Sequence, residues 1–200
     1  MALYLIRHGE TIWNREHRFQ GALDSPLTER GRDQARHYGL ALRRLLGGTV
    51  PALVASPLGR ASATMHLACA TAGWATAECR LDPDLRELSF GTYDGLTRAE
   101  IPGFAAFEAG QAPGDSFFFH CPGGESWDGL AARIGRAWAR LDPARDTIVV
   151  LHSMSGKALR GHCLGLDRAA TLALDWPPDA IYRIAEGRET RLSAELDAAA

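Results

Sequence analysis

Three short apolar runs, each ending in a tight turn that opens a helical pattern, limit most strongly what this chain can fold into. Residues 2–6 (ALYLI) form the first, residues 52–55 (ALVA) the second and residues 147–151 (TIVVL) the third. None alternates apolar with polar residues, so each strand is expected to be buried on both faces, as in a largely parallel sheet covered by helices. Ser56 and Pro57 lead from the second run into a helical segment to Ala72, with Gly73 as its stop. His152 begins a helical segment through Leu164, closed by Gly165. Between the first two strands, residues 28–46 read as an amphipathic helix with Ala35, Tyr38, Leu42 and Leu45 on one face and Gly47-Gly48 at its end. The fold class that follows is α/β, with three α/β/α layers around a mostly parallel central sheet.

The last part of the chain differs. "AIYRIAEGRETRLSAEL" carries two alternating strands around Glu186-Gly187, which predicts an antiparallel hairpin or edge. Residues 101–126 are the least regular stretch, rich in Pro, Gly and Phe, and the helical "LAARIGRAWARL" resumes directly after them. We read a lid-like excursion at about 97–126 over one face of a single domain spanning residues 1–200. The Ala-rich C-terminal tail is expected to fray. A hydrophobic content of 46% and a charged content of 23% suit one domain with a sizeable core. The formal net charge of −2 gives no general reason to expect nucleic acid or an acidic membrane as partner. The N-terminus lacks a basic segment followed by a long apolar run, and no stretch approaches the ~18 apolar residues of a membrane span. We therefore expect neither signal peptide nor membrane span, and a cytoplasmic location. Cys69, Cys79, Cys121 and Cys163 are scattered, without the close pairs of a zinc site, and are expected to be reduced thiols.

Sites in open parallel sheets form at the carboxyl ends of strands, where loops meet helix N-termini. Three such ends are visible here. They present Arg7 and His8, then Arg60 within "SPLGRASAT", then His152. An arginine in a first helical turn opposes the macrodipole by roughly a few tenths of a kcal/mol, which makes sense if an anion sits between the guanidinium and the helix end. Two arginines, two histidines and helix N-termini at one sheet edge describe a pocket for a doubly charged phosphoryl group. Phosphoryl transfer asks mainly for in-line positioning and neutralisation of the equatorial oxygens, which arginine forks supply at any pH. A histidine attacking phosphorus must be neutral, so its other ring nitrogen needs an acceptor. A backbone carbonyl beside Gly9 is the expected one.

Six motifs then fall in order: "LIRHGETIWN" (5–14), "QGALDSPLTERGRDQA" (20–35), "ASPLGRASAT" (55–64), "DLRELSFGTYDG" (84–95), "PGGESW" (122–127) and "LHSMSGKALRGHCLGL" (151–166). The set resembles the histidine phosphatase superfamily, which includes the cofactor-dependent phosphoglycerate mutases. That resemblance implies a phosphoglycerate mutase-like fold and assigns roles to matching positions. His8 corresponds to the nucleophile that becomes a phosphohistidine, and Arg7, Arg60 and His152 to the clamp on the non-bridging oxygens. Glu87 corresponds to the proton donor for the leaving oxygen, which later accepts a proton from the attacking water. Asn14, Gln20 and Gly21 match positions lining the phosphate site. Ser153 stands where the family usually has glycine, which permits backbone angles and close approach that serine resists. Tyr93 and Asp94 stand where tryptophan and glutamate are common. These departures bear on substrate preference more than on the clamp.

The function this implies is hydrolysis of small-molecule phosphomonoesters through a phosphohistidine, with no metal and no cofactor. The alternatives are phosphoglycerate mutase-type transfer and a non-catalytic phospho-ligand binding module. Mutases of the superfamily usually carry an arginine-rich insertion, whereas "IPGFAAFEAGQAPGDSFFFHCPGGES" contains no arginine or lysine and offers Phe104, Phe107, Phe117, Phe118 and Phe119. A lid without positive charge suits an organic monophosphate with an apolar or neutral portion better than a bisphosphate. Asp84, Asp94 and Glu125 compete with Glu87 for the acid role. The remaining histidines (His17, His37, His66, His120 and His162) show no ligand spacing; His66 and His162 are expected to be partly buried on helices and His37 on a helix surface. The expected partner is a small-molecule phosphate ester rather than nucleic acid or membrane, and an exposed edge strand could support a homodimer.

Overall fold

A computed structural model of the chain describes residues 1–110, 116–177 and 179–193. Strands β1 (Leu3–Arg7), β2 (Ala52–Ala55), β3 (Arg80–Leu81) and β4 (Thr147–Leu151) run parallel, and β5 (Ala180–Ala185) and β6 (Arg188–Ser193) add an antiparallel edge. Their order in the sheet is β3-β2-β4-β1-β5-β6. The helices are α1 (Ile12–Arg15), α2 (Glu29–Leu46), α3 (Gly59–Ala72), α4 (Phe104–Glu108), α5 (Ser116–Phe119), α6 (Trp127–Ala139), α7 (Ser153–Leu164) and α8 (Arg168–Ala173).

The continuous apolar strands bury both faces, as expected. Tyr4, Ile6, Ile148 and Val150 pack with Tyr38 and Leu42 of α2 and Met65 of α3. The alternate residues Leu3, Leu5, Val149 and Leu151 pack on the other face with Leu130 and Ile134 of α6 and Leu159 of α7. Each such side chain contributes about 1.5–3 kcal/mol by leaving water. The register then sets the site. Arg7 stands opposite Leu151 and Ala55 opposite Val150, so β1, β2 and β4 end together. The N–H groups of His8 and Ser56 continue the ladder, each 3.0 Å from a β4 carbonyl.

Thr28 caps α2 by accepting from the Gly31 N–H, and Gly47 ends it in the left-handed region at φ 56°. One helix-face assignment fails: Leu45 is 47% exposed and Leu46 is buried instead. At 100° per residue, position 46 lies closer than 45 to the stripe set by Leu42. His66 and His162 are exposed rather than partly buried, and His37 is exposed. Glu186 and Gly187, at φ 53° and 70°, make the turn between β5 and β6, whose paired left-handed residues match the twist of the strands. The excursion carries α4 and α5; its residues 111–115 and the C-terminal tail from 194 lie outside the described residues. Phe104, Phe107, Phe117 and Phe118 pack against one another and onto Phe19 and Phe90, with ring centres 5.1 to 6.1 Å apart. Phe119 turns into the core instead, edge-on to Trp127. All four cysteines are free thiols. Among the described residues no helix is long and apolar enough to cross a membrane.

Candidate active site

Beyond the ends of β1, β2 and β4 lies a cavity of about 490 Å³, with Arg7, His8, Gln20, Gly21, Arg60 and Glu87 in its lining. His8 is buried, and its Nδ1 donates to the Gly9 carbonyl at 2.8 Å. That bond fixes the tautomer and leaves the lone pair on Nε2. Burial first, then the charges of Arg60 and Arg7, hold the imidazole well below its usual range, so it is neutral near pH 7. The acceptor carbonyl is itself pinned. Gly9 donates its N–H to Thr64 Oγ1 of α3 at 3.0 Å, and the Gly31 carbonyl of α2 occupies the space a Cβ at residue 9 would need.

Arg7 donates to the Trp176 carbonyl at 3.4 Å, leaving the rest of its fork for a ligand. Arg60 is 2% exposed, and its guanidinium donates to the carbonyls of Gly21 (2.9 Å) and Leu23 (2.6 Å) and to Asp24 Oδ1 (3.1 Å). Its Nε is buried without a partner. Here the sequence expectation needs correction. The anion between this guanidinium and the helix end is Asp24, whose Oδ1 also accepts from the Arg60 backbone N–H at 3.2 Å. Leu58, at the N-cap of α3, has no side-chain oxygen to do so.

His152 is fully buried beside His8, their ring centres 5.2 Å apart, and it is not part of the cavity lining. Its Nε2 lies 2.7 Å from Ser56 Oγ, while Nδ1 has no partner. Burial, then Arg60, His8 and Arg7, hold this ring well below the usual histidine range as well. The N-terminus of α7 is occupied too: Ser153, Met154 and Ser155 donate their N–H groups to the Glu87 carboxylate at 2.9 to 3.2 Å. Both helix ends expected to hold the phosphoryl group are thus satisfied by carboxylates of the chain itself, and charge for a ligand comes from the arginine side chains. Ser153 is helical and has no positive φ, so serine in the place of the usual glycine carries no backbone strain.

The competing carboxylates separate by their partners. Asp84 pairs with Arg136 and Arg140 at 2.8 and 2.7 Å. Asp94 accepts from the Ala22 and Phe90 N–H groups and from Ser89 Oγ, tying the 20–22 segment to residues 89–94. Glu125 is held by Arg133 at 2.7 Å. None of these three lines the cavity, whereas Glu87 does, and its charge acts on both Arg7 and Arg60. Asn14 lines the cavity with its Oδ1 turned back to cap α1 at Thr11, and Gln20 presents a buried, unpartnered Oε1.

Sequence reasoning missed Glu10, Arg18, Arg30 and Arg98 in the cavity wall. Glu10 directly follows the Arg-His-Gly triplet, and that adjacency was the available signal. Its Oε1 accepts from Thr28 Oγ1 at 2.8 Å. Arg98 precedes the arginine-free stretch, so the rim is not devoid of cations. Yet Arg98 pairs with Glu108 at 2.9 Å, and Arg18 with Glu16 and Glu100 at 3.1 and 3.3 Å, which leaves the rim near neutral. The facing wall is apolar, with Phe19, Phe90, Phe118 and Met154. Among the described residues no three His, Cys, Asp or Glu side chains gather as metal ligands.

Comparison with known families supplies the decisive observation: the model of the histidine phosphatase superfamily (branch 1) matches residues 3–196. The chain belongs to that superfamily. The probable phosphoglycerate mutase GpmB of Enterobacter sp. (strain 638) is 34% identical over 192 residues, covering 92% of this chain and 84% of that protein. The crystal structure of TTHB049 from Thermus thermophilus superposes with a TM-score of 0.70 at 33% identity, covering 96% of this chain and 99% of the other. A mycobacterial glucosyl-3-phosphoglycerate phosphatase, solved in complex with VO3, gives a TM-score of 0.74 at 30% identity, covering 92% and 90%. The match thus spans the whole six-stranded sheet and its helices on both faces.

Proposed function

We propose that the chain hydrolyses small-molecule phosphomonoesters through a phosphohistidine on His8. The observation that carries this is a buried, neutral imidazole with a fixed tautomer, flanked in one cavity by Arg7 and Arg60. The unpartnered Arg60 Nε and His152 Nδ1 support it, because buried polar atoms without partners are found where a ligand completes them. In the first half-reaction, His8 Nε2 forms a bond to phosphorus and the ester P–O bond breaks. With the dianionic ester seated beside it, Glu87 takes up a proton and gives it to the departing alkoxide, releasing the alcohol. In the second, a water oxygen bonds to phosphorus and loses a proton to Glu87. The N–P bond then breaks, releasing phosphate and restoring the neutral ring. Arg7 and Arg60 hold the non-bridging oxygens throughout, and the unpartnered Nδ1 of His152, beside His8, donates to an oxygen of the group carried by His8. The alcohol portion lies against Phe19, Phe90, Phe118 and Met154, which favours an apolar or neutral alcohol.

A panel of phosphate esters tests this, with wild type and His8→Ala assayed with and without chelator. Phosphate release that ignores chelator and falls about a thousandfold or more in His8→Ala is the expected result. Turnover that survives loss of the imidazole overturns the proposal. The similarity to a probable mutase keeps phosphoryl transfer as a second reading. Label passing from 2,3-bisphosphoglycerate to monophosphoglycerate faster than phosphate appears would establish it instead.

A further inference from the structure

Arg133 of α6 is buried, and its guanidinium is not part of the lining of the candidate-site cavity. All its donors are spent inside the protein. Nε and Nη2 grip Glu125 at 2.7 and 2.8 Å, Nη1 reaches the carbonyls of Asp84 (2.7 Å) and Arg86 (2.6 Å), and Nη2 also reaches the carbonyl of Glu87 (3.2 Å). Residues 84–87 run outside the sheet, so no ladder satisfies those carbonyls. Glu125 is anchored in turn, its N–H donating to the Ser89 carbonyl at 2.9 Å. The segment carrying Glu87 is therefore held at its backbone by Arg133 and at its carboxylate by the first turn of α7.

Residues of α6 and α7 share one core with Leu3 and Leu5 of β1, the strand that leads into His8, so both grips hold Glu87 to the same packed body that carries His8. We propose that Arg133, locked to Glu125, is a positioning residue that sets where the Glu87 carboxylate stands, and so governs proton delivery to the departing alcohol rather than attack by His8. This rests on Glu87 being the general acid. Two further arginines along this side, Arg136 of α6 and Arg140 at its C-terminal end, grip the side chain of Asp84, with Arg140 also holding Asp82, and their guanidinium groups bond these aspartates rather than Glu87. Lysine cannot replace Arg133, because one ammonium cannot span two carboxylate oxygens and three carbonyls.

Leaving-group dependence separates positioning from simple support of the fold. An alkyl ester such as 2-phenylethyl phosphate needs a proton on its leaving oxygen, whereas a dinitrophenyl ester departs without one. kcat/KM covers the steps through alcohol release, so the two esters read the acid directly. In Arg133→Lys, kcat/KM for the alkyl ester is expected to fall roughly 10- to 100-fold, while the dinitrophenyl ester stays within about threefold. Glu125→Gln, which keeps the shape of the clamp and guards against a folding failure of the lysine variant, is expected to show the same split at smaller size. Arg136→Ala should move neither ester. Equal losses on both esters in the Arg133 and Glu125 variants, or no loss at all, overturn the assignment. Glu87→Gln is measured alongside: a split there with no split in the clamp variants removes Arg133 alone. Equal loss in Glu87→Gln removes the general acid, and the positioning role with it.

Discussion

His8 stays neutral because its neighbours deny it a second proton, the state the proposed nucleophile requires. The ring is buried beside two guanidinium groups, and its Nδ1 is committed to the Gly9 carbonyl. His152 shares that depressed state. The sign of the linkage is fixed: below about pH 6.5 the unfolded chain binds protons at both histidines that the folded chain refuses. Unfolding free energy should therefore fall as pH drops below that value, by up to about 1.4 kcal/mol per pH unit for each ring, and this contribution is complete above it. Denaturant titrations between neutral and acid pH measure it, and His152→Asn should flatten the slope. Gly9 carries a second residue-scale consequence. A methyl group there meets the Gly31 carbonyl, so Gly9→Ala is expected to cost about 1–3 kcal/mol in the same titration. The carbonyl partner of His8 was legible in the sequence, since it is the next residue. The partners of Arg60 were not, because Gly21, Leu23 and Asp24 approach it across 36 to 39 positions of chain.

At the scale of elements, two helix N-termini at the candidate site are closed by carboxylates from distant loops. Asp24 caps α3 and Glu87 caps α7. Apolar runs, glycine stops and the β5–β6 turn show in sequence because they are local. A carboxylate that caps another element leaves no mark on that element's own residues. Asp24→Ala is expected to lower stability by about 1–2 kcal/mol, read as a shift in the denaturant midpoint. Arg160 of α7 makes a comparable long-range tie. It pairs with Glu189 of β6 at 2.6 Å, lies 3.6 Å over the Tyr182 ring and supports the loop whose Trp176 carbonyl holds Arg7. Removing this buried cation in Arg160→Met leaves Glu189 unpaired and is expected to cost about 3–5 kcal/mol, measured by the same midpoint.

For the whole molecule, the arrangement of β2, β4 and β1 side by side is what turns three separate sequence motifs into one site. Apolar patterning marked all three strands and their carboxyl ends, so the edge carrying the candidate site was readable. The apolar wall was not, because Phe19, Phe90 and Phe118 come from three segments far apart in the chain that meet only in the fold. Phe118→Ala is expected to lower kcat/KM for phenylethyl phosphate about tenfold relative to glycerol phosphate, by removal of apolar contact. The proposed chemistry depends on phosphorus becoming bonded to one particular nitrogen. The most direct measurement is 31P NMR of enzyme quenched during turnover, with the phosphorylated peptide then sequenced. A phosphoramidate resonance on Nε2 of His8, with Nδ1 unmodified, is predicted; phosphate on Nδ1, on another residue or on no residue at all during steady turnover would contradict it.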